Sequence, residues 1–277
     1  MSIVRLGTRG SPLAQAQTAL AATTLGAQGI ATETVVITTR GDQAATTPLG
    51  ELGPGAFASA LEEALLAGEI DVAVHSAKDL TGDLPDGLEL AAFLERADPR
   101  DAWCGAARSL DEIPTGARVG TSSVRRIAAL QAARPDLEMV PIRGNVQTRL
   151  DRRATEGLDG VVLAACGLER IGLDGEIGFR FPIETLLPEA GQGAIALQTR
   201  VGDGGLVAAA DHLDTRMAVM TERAVTRLLG GGCTTPVAAH AYRNDGGWRL
   251  IGWTGETAAA EGPEPHALVE SVVGALL

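Results

Sequence analysis

Lysine is nearly missing from this 277-residue chain: Lys78 stands alone among 23 cationic side chains, and the rest are arginines. A Walker A loop needs a lysine behind its glycines and is therefore excluded, and Gly191-Gln192-Gly193-Ala194 is too short and wrongly placed for a dinucleotide fingerprint. Three widely spaced cysteines, an odd number, make neither a disulfide framework nor a zinc site, so a reducing interior and no bound metal are expected. No apolar run approaches membrane-spanning length, and the opening MSIVRLGTRGSP holds no apolar secretion core. A soluble, cytoplasmic protein without a membrane partner is expected. Aromatics are only 3% of residues, whereas alanine and glycine abound, so cores must be built from small and aliphatic side chains. Positive charge is short too. A net charge of -12 argues against a nucleic-acid partner, which needs a basic face, and the acidic surface suggests a monomer.

What is there is a local reversal of that sign between Arg118 and Arg149. Two apolar stretches, Ala117 to Val119 and Met139 to Ile142, each run into a glycine, a Ser, Thr or Asn cap, and a helix whose first turns carry arginine. Unpaired N–H groups and the positive end of a helix dipole suit carboxylates and phosphates, and arginine adds a two-pronged grip. Arg125, Arg126, Arg143 and Arg149 therefore point to a small anion entering a cleft, against the plainer reading of two capped helices with solvated arginines. Ser11 with Pro12 caps a further helix beside Arg9, either a third anion-facing turn or an ordinary cap.

A chain of this length exceeds a single core, and two or three domains are expected. Ile3 to Leu6, Thr34 to Thr38, Ile70 to Val74, Leu88 to Leu94, Gly160 to Ala165 and Ala194 to Gln198 read as strands. Arg40-Gly41-Asp42 turns the chain, residues 44 to 55 form a glycine- and proline-rich loop, and Ala56 to Ala67 form an amphipathic helix stopped at Gly68. His75, Ser76, Lys78 and Asp79 follow the buried strand at its carboxyl end, where open α/β sheets keep ligands, although polar residues there also make a plain turn. ERADPRDAW and LLPEAGQGA read as crossings between lobes. Asp214 is the expected cap of a long helix through Leu229. Cys104 and Cys166 read as core, while Cys233, among three glycines and a proline, is either an exposed reactive thiol or one more buried one. Two strands (Val237 to Tyr242, Trp248 to Trp253) and a helix from about His266 complete a small module.

Eight stretches in one register, LGTRGSPLA, VITTRGD, VAVHSAKDL, DPRDAW, GTSSVRR, RGNVQTRL, LPEAGQGA and GGGCTTP, resemble the porphobilinogen deaminase (hydroxymethylbilane synthase) family from residue 5 to about 240. The resemblance implies two periplasmic-binding-protein-like α/β lobes with crossing segments plus a small α/β C-terminal domain. Residues 1–96 with 194–212 would form the first lobe, 99–190 the arginine-rich second, and 216–277 the third domain. It implies a dipyrromethane cofactor, held covalently by a thioether on Cys233, that primes addition of four porphobilinogen molecules, each with loss of ammonia, before water releases the linear tetrapyrrole. Asp79, a carboxylate expected to be buried, would stabilise the cationic azafulvene-like species left by ammonia, with Lys78 and Arg9 beside it. Ser11, Lys78, Asp79, Thr121, Ser122, Ser123, Arg125, Arg126, Arg143, Gly144, Arg149, Gln192 and Gly193 would hold the cofactor. Arg9, Ser11, Arg143, Arg149 and Arg170 would hold substrate carboxylates.

Two departures stand out. Glu51-Leu52-Gly53-Pro54-Gly55 replaces a glycine-rich loop that often carries lysine in the family, and the segment after Trp253 looks one hairpin short. Rival readings are a two-lobed anion-binding module without catalysis, and a cysteine hydrolase using Cys233 with His75 or His240.

Overall fold

The computed structural model describes residues 3–38, 58–80, 82–231 and 235–277. The turn at Arg40, the loop at 44–55 and Cys233 lie outside the described residues. The chain divides into two compact units, residues 1–97 with 194–219, and residues 98–193 with 220–277.

In the first unit β1 (Val4–Arg9), β2 (Thr32–Ile37) and β3 (Val72–Ser76) run parallel. The strand Ile195–Arg200, β10 in chain order, runs antiparallel between β3 and β4 (Leu88–Phe93), giving the order β2-β1-β3-β10-β4. Val72 to His75 are all buried because helices cover both faces of the sheet. Val72 and Val74 join Ala21 and Leu25 of α1 (Pro12–Ala27), whereas Ala73 joins Leu61 and Leu65 of α2 (Ser59–Leu66) on the other side. Each such leucine or valine contributes about 1.5–3 kcal/mol by leaving water. Helix α1 starts as its sequence dictates: Pro12 takes the first turn and Ser11 Oγ accepts from the Ala14 N–H at 3.3 Å. Asp71 ties β1 to the entry of β3, accepting from Arg5 Nη2 at 2.7 Å and Nε at 3.0 Å.

The second unit repeats the plan. Strands β5 (Asp101–Gly105), β6 (Arg118–Gly120), β7 (Glu138–Val140), β8 (Gly160–Ala164) and β9 (Phe179–Arg180) lie in the order β7-β6-β8-β5-β9. Again the second, first and third strands are followed by an antiparallel one, here β5, and then the fourth. Much of the scarce aromatic content packs here: Trp103 stacks on Phe179 with centroids 6.4 Å apart, and Phe179 meets Phe181 edge-on at 4.8 Å. Gly160 makes room, since a Cβ there would fall 2.2 Å from the Trp103 ring.

Also in this unit, β11 (Ala238–Asn244), β12 (Gly247–Trp253) and β13 (Thr257–Gly262) form an antiparallel meander packed by α7 (Val269–Leu276). The chain is thus α/β, two lobes of one strand order with a small C-terminal sheet domain. Strand β13 adds a third strand to the two expected from sequence: TAAAEG has few β-branched residues, and its alternation of exposed and half-buried positions comes from serving as an edge. The long helix α6 (Leu213–Leu228) corrects another expectation. Its cap is His212, whose Nδ1 accepts from the Thr215 N–H at 3.2 Å and whose carbonyl accepts from Arg216, so Asp214 sits inside the first turn.

Candidate active site

In the first unit the carboxyl ends of β1 and β3 deliver Arg9, His75 and Ser76 to one hollow. A single 3₁₀ turn, Ala77–Asp79, adds Asp79, and the start of α1 adds Ser11 and Gln17. Lys78 lies half-buried beside Asp79. Asp79 is exposed, which corrects the expectation of a buried carboxylate. A network fixes the floor: Gln17 Nε2 donates to Ser76 Oγ at 2.8 Å, and His75 Nε2 lies 2.9 Å from Gln198 Oε1, whose own Nε2 donates to Glu62 at 3.0 Å. With the amide nitrogen of Gln198 spent on Glu62, its oxygen must face His75, so the imidazole proton sits on Nε2. Burial pushes the His75 pKa down to about 4, with the Gln198 bond opposing and the charge of Arg9 assisting. The ring is neutral and serves as a fixed wall.

In the second unit both capped turns form as expected. Ser123 Oγ accepts from the Arg126 N–H at the head of α3 (Val124–Ala133), and Asn145 Oδ1 accepts from Thr148 at the head of α4 (Val146–Thr155). Thr121 Oγ1 accepts from the Ser123 N–H, and Ser122 Oγ donates to the Ile142 carbonyl at 2.9 Å, which joins the two turns. Gly144 adopts φ +112°, a conformation open to glycine, and Arg149 Nε donates to its carbonyl at 2.7 Å. The Arg143 carbonyl accepts from Arg152 Nη1 at 3.2 Å. Arg170 closes α5 (Ala165–Arg170) and donates to the Gly193 carbonyl at 2.6 Å; burial lowers its pKa.

The arginine pair itself differs from a solvent-facing clamp. Arg125 and Arg126 are 3% and 5% exposed and converge on Asp101, which is fully buried. Arg126 reaches Asp101 Oδ1 through Nη2 at 2.6 Å and Nε at 3.1 Å, and donates Nη1 to the Val162 carbonyl. Arg125 Nη2 sits 2.8 Å from Asp101 Oδ2 while its Nη1 donates to the Leu187 carbonyl at 2.7 Å. Gln192 adds a donor to Asp101 Oδ1 at 3.0 Å. Burial works against the charge of Arg126, yet the attraction and hydrogen bonds of Asp101 outweigh it and raise the pKa. The sequence reading took Asp101 for one acid of a crossing. Its signal was position, a carboxylate opening the apolar run Ala102-Trp103-Cys104 of a strand buried on both faces.

Cys104 and Cys166 are both buried in the core, and burial pushes the Cys104 thiol up to about 12, which leaves that thiol inert. Among the described residues there is no cluster of three or more His, Cys, Asp or Glu side chains suited to a metal, and no helix long and apolar enough to cross a membrane.

Residues 4–208 match the model for "Porphobilinogen deaminase, dipyromethane cofactor binding domain", and residues 216–262 match "Porphobilinogen deaminase, C-terminal domain". The chain belongs to the porphobilinogen deaminase family. It is 48% identical over 245 residues to a porphobilinogen deaminase of Syntrophus aciditrophicus, covering 86% of this chain and 80% of that one. It is 45% identical over 255 residues to another from Pelobacter propionicus, covering 90% and 82%. Among solved structures, the methionine-binding protein MetQ superposes with a TM-score of 0.47 at 15% identity over 75% of this chain and 89% of that one. Every site residue from Arg9 to Gly193 falls inside the cofactor-domain match, and residue 233 falls inside the C-terminal match.

Proposed function

We propose that the chain is a hydroxymethylbilane synthase that joins four porphobilinogen molecules head to tail on a dipyrromethane primer, with release of four molecules of ammonia and consumption of one water. The observation that carries this reading is the match of residues 4–208 to the dipyrromethane-binding domain. The residues fit such a group. Two buried guanidiniums face the single carboxylate of Asp101, and Arg125 Nε is buried without an acceptor among the described residues, so donor capacity remains for an anionic ligand. Charge-assisted bonds of this kind contribute about 1.5–3 kcal/mol each.

The primer, tethered through Cys233, would supply the nucleophilic pyrrole carbon on which the head-to-tail chain starts. Arg125 and Arg126 bind its carboxylates, assisted by the capped turns of Thr121, Ser122, Ser123 and Gly144, with Gln192 and Gly193 lining the approach. Arg9, Ser11, Arg143, Arg149 and Arg170 orient the incoming substrate by its acetate and propionate. Asp79 holds the pyrrole N–H and stabilises the positive charge that develops as ammonia departs, with Lys78 beside it as a cation for the carboxylates. His75, neutral and hydrogen-bonded, adds no competing charge.

We further propose three domains with the boundaries given by the sequence, a monomeric state, a cytoplasmic location, and no nucleic-acid or membrane partner. The acidic balance of -12 supports the monomeric state and the absence of a nucleic-acid partner. The test is stoichiometric: purified protein supplied with porphobilinogen should release ammonia and linear tetrapyrrole in a ratio of four to one. Saturable porphobilinogen binding without ammonia release would instead favour a binding module.

A further inference from the structure

Glu222 is the most deeply buried carboxylate that the proposed mechanism leaves idle. It projects from α6 with no exposed surface, and it is held by backbone donors from two directions. Its Oε2 accepts from the Gly191 N–H at 2.7 Å, and its Oε1 accepts from the Ala241 N–H at 2.8 Å with His240 Nδ1 at 3.2 Å. Gly191 adopts φ +75°, so its amide is aimed by a turn that few other residues make easily. The next residue continues the chain of contacts: Gln192 Nε2 donates to the Pro99 carbonyl at 2.6 Å and to Asp101 Oδ1 at 3.0 Å. Asp101 in turn fixes Arg125 and Arg126. An unbroken polar path thus runs from α6 through residues 191 and 192 to the arginine pair. A buried carboxylate is a costly way merely to fill space, because an apolar side chain of similar volume serves packing as well.

We infer that Glu222 is a positioning residue for the condensation, holding the Gly191-Gln192 turn, and through it the arginine pair, in register with the helix that leads to Cys233. Cys233 lies eleven residues beyond Glu222 in the sequence. The helix that feeds the thioether tether and the guanidiniums that grip the primer's carboxylates therefore share one reference point. This inference rests on the proposed function, since it concerns where the primer is held.

The experiment uses the full chain, purified with its primer, and the variant Glu222→Gln. The amide group retains one acceptor but presents N–H groups to a backbone N–H, so one of the two anchors is lost while shape is kept. On molecules that intact mass shows to be primed, kcat falls at least tenfold with KM within twofold, and Glu222→Asp recovers part of the loss. A primed Glu222→Gln enzyme with kcat within twofold of the parent overturns the inference, as does a loss of activity merely proportional to the loss of folded protein. Should Glu222→Gln fail to fold, Gln192→Ala cuts the path one step on without uncovering a buried charge. It must then show the same fall in kcat, and a normal kcat overturns the inference. A parent chain that carries no added mass refutes the proposed function itself, which separates the two failures.

Discussion

Replacing Asp101 by alanine tests the buried cluster most severely. The carboxylate has no exposed surface and receives Arg126 at 2.6 and 3.1 Å, Arg125 at 2.8 Å and Gln192 at 3.0 Å. Its removal leaves two guanidiniums in a dry interior, with the carbonyls of Val162 and Leu187 as their remaining acceptors among the described residues. Breaking one side of a buried ion pair costs about 3–5 kcal/mol, a large share of the roughly 5–15 kcal/mol that holds a domain folded. With a urea dependence of about 2–3 kcal/mol per molar, the midpoint should fall by about 1–2.5 M. Tryptophan fluorescence reads this unit alone, because Trp103, Trp248 and Trp253 all belong to it. Adding Arg126→Met to Asp101→Ala removes one stranded charge and should recover part of the loss. A midpoint for Asp101→Ala within about 0.3 M of the parent, or a double variant weaker than the single one, would refute the reasoning.

The neutral His75 gives a pH signature. Its folded pKa of about 4 lies below the unfolded value of 6.5, so its contribution is complete above about 6.5 and is lost as pH falls toward 4. Urea midpoints measured across that window should decline less steeply in His75→Gln than in the parent, and parallel curves would remove His75 as a cause. Asp79→Asn should leave primer and fold in place yet lower kcat by two orders of magnitude or more, the scale of a lost acid–base or electrostatic group; a rate near normal would exclude Asp79 from the chemistry. Gly160→Ala places a methyl 2.2 Å from the Trp103 ring and should destabilise by about 1–3 kcal/mol, seen as a lower urea midpoint and altered tryptophan emission.

Much of the fold was legible because the signals were local. Ser11, Ser123 and Asn145 cap helices by accepting from backbone N–H groups as their side chains dictate, and Val72 to Val74, within the expected strand Ile70 to Val74, are buried on both faces, as near-continuous apolar character demands. What escaped was tertiary. Strand β13 exists because β12 offers an edge, and TAAAEG carries little strand preference of its own. His212 displaced Asp214 as the cap of α6 because its imidazole nitrogen lies in line with the Thr215 amide. Arg125 and Arg126 were expected to bind an anion from their place after a capped turn. That both also enclose Asp101 depends on β5 and α3 meeting, a pairing 24 and 25 residues apart that no local pattern encodes.

The central claim is a covalent pyrrole chain on Cys233 answered by an arginine-rich lobe. Intact mass of the freshly purified parent, set beside Cys233→Ala, addresses it most directly. The parent should weigh more than its sequence by two linked pyrroles, with the variant at the bare sequence mass. A parent that condenses porphobilinogen while weighing no more than its sequence, or a Cys233→Ala chain bearing the same addition, would contradict the account.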